Sequence, residues 1–154
     1  MNRALVNLVE HMRWADDLVA DALEREPRAG DDVVRVFSHI AACEALWYAR
    51  IQGRTSPVAV WPTLALAQAR ALAHEHAALF EQLVRSSSDD ALAKRVHYRN
   101  SAGRDFESSV GEIVTHVAMH GSHHRGQILQ LLRASGREPP YVDFIQFMRR
   151  DQNG

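Results

Sequence analysis

Four of the nine histidines fall within nine residues, His116-Val117-Ala118-Met119-His120-Gly121-Ser122-His123-His124. Neutral imidazole is a preferred ligand for divalent transition ions, so a dense histidine run raises the question of a metal site. Residues four apart on a helix share a face and stand about 6 Å apart along the axis. His116/His120 and His120/His124 are both such pairs. A projection at 100° per residue, centred on the mean direction of Val110, Val114, Val117 and Ile128, separates them. It puts His124 roughly 30° and His120 roughly 70° from the core-facing direction, with His116 and His123 beyond roughly 100°. The pair expected to point inward is His120 and His124. Two imidazoles on an apolar stripe are costly unless their nitrogens find partners, and the spacing favours a shared cation over two separately hydrogen-bonded core histidines.

A pair alone does not hold an ion tightly, so a third ligand must come from another helix. His39 and His76 both qualify, and spacing does not choose between them. Cys43, one turn after His39, could approach the ion, but it reads as a small inert hydrophobe. Glu44 falls inside an apolar stripe beside Ile40 and Trp47. A salt bridge to an arginine such as Arg125 is the favoured reading, ahead of a supporting carboxylate or proton carrier near the metal. The H-E-x-x-H motif of zinc proteases is missing, because its glutamate position holds Gly121. His11, His74 and His97 look peripheral. Trp14, Trp47 and Trp61 read as core or interface anchors, with a pocket role conceivable for Trp47.

The apolar spacing that must position these residues is helical nearly throughout. A first helix carries Leu5, Leu8, Val9, Met12, Ala15, Val19 and Leu23, and stops at Arg25-Glu26-Pro27 and Gly30. A second, capped by Asp31 or Asp32, buries Val33, Val36, Phe37, Ile40, Trp47 and Ile51 and ends at Gly53. Trp61 then lies in a loop marked by Pro57 and Pro62. A third helix from about Thr63 to Val84 turns Leu66, Ala69, Ala73, Ala77, Phe80 and Val84 inward, and Ser86-Ser87-Ser88-Asp89-Asp90 breaks it. Val96-His97-Tyr98-Arg99 and Asp105-Phe106-Glu107 flank Asn100-Ser101-Ala102-Gly103, the pattern of a short β-hairpin. Ser109-Val110-Gly111-Glu112 has capping-box spacing and opens the longest helix, with Ile113, Val114, Val117, Ile128, Leu131 and Leu132 inward and Gly136 as its stop. Phe144, Ile145, Phe147 and Met148 form a last docking turn. The expected class is all-α: one domain over residues 1–154, a four-helix bundle with a hairpin inserted between its third and fourth helices and a short C-terminal helix.

The 154 residues carry 18 Lys and Arg against 19 Asp and Glu, so there is no basic excess to track a phosphate backbone, and nucleic acid is not an expected partner. One cysteine permits no internal disulfide. No apolar run is long enough to span a bilayer, and the polar start Met1-Asn2-Arg3 lacks a secretory core, so a cytoplasmic location without a membrane partner is expected.

At these residues the chain resembles the DinB/YfiT-like family of four-helix-bundle metalloproteins, over nearly its whole length. The resemblance is carried by His11-Met12-Arg13-Trp14-Ala15-Asp16, by Phe37 to Trp47, by His116 to Gln127 ending in His123-His124-Arg125-Gly126-Gln127, and by Gly136-Arg137-Glu138-Pro139-Pro140 followed by Asp143-Phe144. It implies a metal held by one histidine of the second helix and two of the fourth, here His39, His120 and His124, and so prefers His39 to His76. It further implies zinc or nickel as the ion and a homodimer as the assembly. Some relatives are transferases or isomerases that use a low-molecular-weight thiol.

Three neutral imidazoles leave the ion's charge uncompensated and at least one coordination position open. The leading expectation is thus a metal-dependent enzyme of thiol S-transferase type acting on a small molecule. The alternatives are a non-catalytic metal-binding, stress-associated dimer and a metal-dependent hydrolase, the latter disfavoured by Gly121.

Overall fold

In the computed structural model, which describes residues 2–26 and 30–150, four long helices run α1 (Arg3–Arg25), α2 (Asp31–Ile51), α3 (Leu66–Ser86) and α5 (Val110–Ala134). Between α3 and α5 lie a one-turn helix α4 (Asp89–Ala93) and strands β1 (Arg95–Arg99) and β2 (Asp105–Ser109). Helix α6 (Phe144–Arg149) closes the described chain. α1 packs against α3 and α5, and α2 packs against the same two helices. Around the bundle the order is therefore α1, α3, α2, α5. That ring makes α2 and α5, the two histidine-bearing helices, direct neighbours.

The apolar stripes sort into two layers. Near one end Val6, Val9, Met12, Phe80, Val84, Ile113, Val114 and Val117 form one cluster. Near the other, Val19, Leu23, Val33, Phe37, Ile40, Ile128 and Leu132 form the second. Trp47 packs on the first cluster from its edge.

Local chemistry sets the boundaries. Asn2 caps α1 by accepting from Leu5 N–H at 3.2 Å. The expected capping box opens α5: Ser109 Oγ accepts from Glu112 N–H at 3.1 Å, and Glu112 accepts from Ser109 N–H at 2.6 Å. The hairpin is antiparallel with Arg99 opposite Asp105, and Asn100 organises its turn by accepting from the N–H groups of Ala102 and Arg104. Gly136, at φ 77°, follows α5 as anticipated.

Several details depart from expectation. Asp31 and Asp32 occupy the first turn of α2, where carboxylates favour the helix dipole, and the cap itself is Gly30 with no side-chain bond. α3 starts at Leu66 rather than Thr63, because Gln68 pairs with the backbone N–H of Ala65 and fixes the start there. Ser88 caps α4, a turn the hydrophobic pattern is too short to show. Leu131 and Ile145 are exposed, since Leu132 and Phe147 take the inward positions beside them. Pro27, expected to help stop the first helix, lies outside the described residues. No helix is long and apolar enough to cross a membrane among the described residues.

Candidate metal centre

The three rings singled out by the resemblance stand together where α2 faces α5. Centroid separations are 5.0 Å for His39–His120, 4.6 Å for His39–His124 and 4.4 Å for His120–His124. The i, i+4 spacing stacks the α5 pair, and α2 delivers His39 against both. One nitrogen of His39, one nitrogen of His120 and Cys43 Sγ lie within 4.8 Å of one another, a group that could hold a metal ion. Cys43 Sγ is 3.7 Å from each nitrogen of the His39 ring.

The orientation of two rings is fixed from behind. His39 Nδ1 lies 2.8 Å from the carbonyl oxygen of Val60, which only accepts, so Nδ1 carries the proton and Nε2 keeps its lone pair. His124 Nδ1 lies 2.7 Å from Gln127 Oε1, with the same consequence. Outward-facing Nδ1 donors with free Nε2 lone pairs are the usual arrangement of ligating histidines. His120 makes no hydrogen bond among the described residues. Burial and then the neighbouring rings of His124 and His39 lower its pKa to about 4. His39 is lowered as well, chiefly by burial. These rings are therefore neutral bases. Burial likewise pushes the Cys43 thiol up to about 11. The two imidazoles and one thiol of the His39, Cys43 and His120 group are borderline-soft donors, which suit a transition ion better than magnesium or calcium; the His124 ring stands beside them but is not part of the group.

Two parts of this centre carry no sequence signal. The loop between α2 and α3 grips His39 twice, through the Val60 carbonyl and through Trp61, whose ring stacks on the imidazole at 3.7 Å and 4°. Trp61 is 48% exposed, so of the two roles expected, core or interface anchor, it does not take the first; it covers the histidine. Loop conformation has no periodicity from which to infer it. The second part lies beneath the histidines. Arg125, 1% exposed, pairs with Asp16 at 2.8 Å, and not with Glu44 as expected. Both oxygens of Glu44, Asp16 Oδ2 and Arg125 Nη2 are buried without a hydrogen-bond partner. Burial first, and then the Asp16 charge, push the Glu44 carboxyl well above its ordinary pKa, which favours its uncharged form beside the Asp–Arg pair. An Asp on α1 answering an Arg on α5 is a long-range pairing that spacing within one helix does not expose.

The remaining histidines separate cleanly. His76 donates to or accepts from no partner in the cluster; its Nδ1 bonds the Leu72 carbonyl at 2.9 Å and its ring meets Tyr48. His11, expected at the periphery, is buried, bonds the Val142 carbonyl at 2.7 Å and packs on Trp14, Phe144 and Phe147, pinning α6 to α1. His123 is exposed and touches the Gln127 amide. His120 and His124 are half-buried, because Gly121 and Arg125 take the innermost positions of that stripe. A Cβ on Gly121 would stand 2.8 Å from Arg125 Nη1, so the guanidinium occupies the space that a side chain at 121 needs.

The model of the DinB family matches residues 1–154, the whole chain. The chain belongs to the DinB family. No curated protein and no solved structure matches it. Family membership fits the helical bundle and hairpin already described, and the grouped His39, Cys43 and His120 give this DinB-family chain the means to bind a metal.

Proposed function

We propose that His39, His120 and His124 bind one divalent transition ion, zinc or nickel, and that the protein is a metal-dependent enzyme of thiol S-transferase type. The observation carrying this reading is the meeting of the three rings within 5.0 Å, with Nδ1 of His39 and of His124 committed to outward acceptors. Such an ion supplies a Lewis acid that takes a thiol as its thiolate. The residues do the rest. Neutral imidazoles leave the positive charge uncompensated, and the half-buried edge of His120 and His124 leaves a side open to a small molecule. The transferred group would gain a carbon–sulfur bond as its leaving group departs with the electron pair of the bond it breaks, and the thiol proton passes to solvent. No carboxylate base stands at position 121, which favours thiol chemistry over hydrolysis. A cytoplasmic homodimer is the setting we propose, in line with the single cysteine and with the family resemblance.

Cys43 supports a second reading. Its sulfur lies within reach of the same group, and a fourth protein ligand would close the site and make the ion a structural clasp. Loading with cobalt distinguishes the two. A sulfur-to-cobalt absorption that appears only on adding a thiol supports the enzyme, and conjugation of that thiol to an electrophile panel must then depend on the ion. A sulfur band present from the outset and lost in Cys43→Ser supports the clasp. His124→Ala should lower metal affinity at least 100-fold while leaving the far-ultraviolet dichroism unchanged, because the apolar layers hold the bundle. Undiminished binding by His124→Ala would refute the ligand set.

A further inference from the structure

Along α2 the residues on the metal side continue past Cys43 to Trp47 and Arg50. Arg50 lies in the last turn of the helix, but its guanidinium does not serve the helix end. It sits 4.4 Å from the Trp47 ring centre and 4.8 Å from that of Tyr98 on β1, with Nη2 donating to the Arg99 carbonyl at 3.1 Å. Among the described residues no carboxylate pairs with it, and its other N–H donors make no hydrogen bond. Its surroundings are aromatic or neutral: Trp47 also meets Tyr98 and His116, each at 5.0 Å, and the His116 ring lies 5.8 Å from His120. Arg13, Arg70, Arg85, Arg95 and Arg99 each hold a carboxylate, whereas Arg35 over Trp61 and Arg104 over Phe106 share with Arg50 an aromatic neighbour and, among the described residues, no ion pair, but each lies over a single ring. A half-buried cation that keeps unused donors and has no counter-charge is costly. Burial lowers the Arg50 pKa accordingly, and the ionisable groups that favour its charge are Tyr98 and Cys43, neither of them a carboxylate.

We propose that Arg50, framed by Trp47 and Tyr98, is the binding subsite for the carboxylate of a small-molecule substrate whose other end reaches the histidine cluster. The planar fork of guanidinium matches a carboxylate through two parallel hydrogen bonds, which an ammonium group cannot copy. Residue 50 is three turns beyond residue 39, and helical side chains lean back toward the N-terminus. Because His39 leans the same way, the interval stays at about 16 Å of helix axis from His39 and about 10 Å from Cys43, of which a metal–sulfur bond and an ion pair take up several ångström. A carboxylate joined by four to six carbons to the reacting sulfur or carbon spans the remainder. The inference rests on the metal–thiol reading for the far end of this ligand, but the carboxylate contact does not need the ion.

The test has two arms. In cobalt-loaded protein, the thiolate-to-cobalt band gives dissociation constants for 6-mercaptohexanoate and 6-mercaptohexanol. The acid should bind about tenfold tighter, and the preference should vanish in Arg50→Gln and survive only in part in Arg50→Lys, with the cobalt ligand-field spectrum unchanged in both. In metal-free protein, hexanoate should perturb tryptophan emission at lower concentration than hexanamide, again only with Arg50 present. Equal binding of acid and alcohol by cobalt-loaded wild type, or a preference that persists in Arg50→Gln, overturns the subsite and leaves the metal centre standing. Failure to bind cobalt overturns the metal centre, and the hexanoate arm then decides the subsite alone. Arg50→Lys keeps the charge over Trp47, so it serves if Arg50→Gln does not fold.

Discussion

At the scale of single residues, protonation decides what the cluster can hold. His120 has a pKa of about 4, against an ordinary value of 6.5. Above pH 6.5 the ring is neutral in folded and unfolded chains alike, so it contributes nothing to the pH dependence there. Between 6.5 and 4 the unfolded chain takes up a proton that the folded one refuses, so the metal-free fold weakens as the pH falls through this window. His39 adds in the same direction. Thermal melts of metal-free protein from pH 7.5 to 4.5 should show the midpoint falling with acid, and His120→Ala should flatten that slope. A slope unchanged in His120→Ala would mean that the ring titrates freely and is not the neutral base described. The pairing of His120 with His124 was legible from spacing alone, because i, i+4 is a geometric property of the helix. His39 over His76 was not. Both sit on stripe edges, and only the resemblance separates a ring aimed at α5 from one aimed at Tyr48.

At the scale of elements, the four long helices and the hairpin were legible because period and turn chemistry are local. What escaped were contacts made by one element on another. The loop carrying Val60 and Trp61 closes over His39, and α1 supplies Asp16 to the Arg125 of α5. Both have measurable consequences. Trp61 lies 3.7 Å from the His39 ring, so copper or nickel bound there should quench tryptophan emission. Trp61→Phe should remove most of the quenching without removing the binding. In the Asp16–Arg125–Glu44 group, cutting the ion pair strands a buried guanidinium, whereas burial favours the uncharged form of Glu44. Asp16→Ala should cost about 3–5 kcal/mol in denaturant melts, and Glu44→Gln no more than about 1 kcal/mol. A large loss in Glu44→Gln would show that its carboxyl is ionised and paired after all.

At the scale of the whole molecule, the candidate ligands come from α2 and α5, which meet only when the bundle closes. The unfolded chain keeps His39 about 80 residues from its partners, so only the native state offers the full set. An ion at 100 times its dissociation constant should then stabilise the fold by about 2.7 kcal/mol, and raise the melting midpoint by about 5–10 °C. The His124→Ala chain should show little of that rise. A midpoint raised equally in both would place the bound ion elsewhere.

The bare backbone at position 121 bears on how this scaffold can change. A glutamate there, as the H-E-x-x-H motif of zinc proteases has, would have to displace a guanidinium that is paired with Asp16 of α1. Even alanine should be poorly tolerated. A base at this position therefore disturbs an internal charge pair that joins two helices. Placing a general base one residue after His120 is thus costly in this scaffold, whatever ion the rings hold.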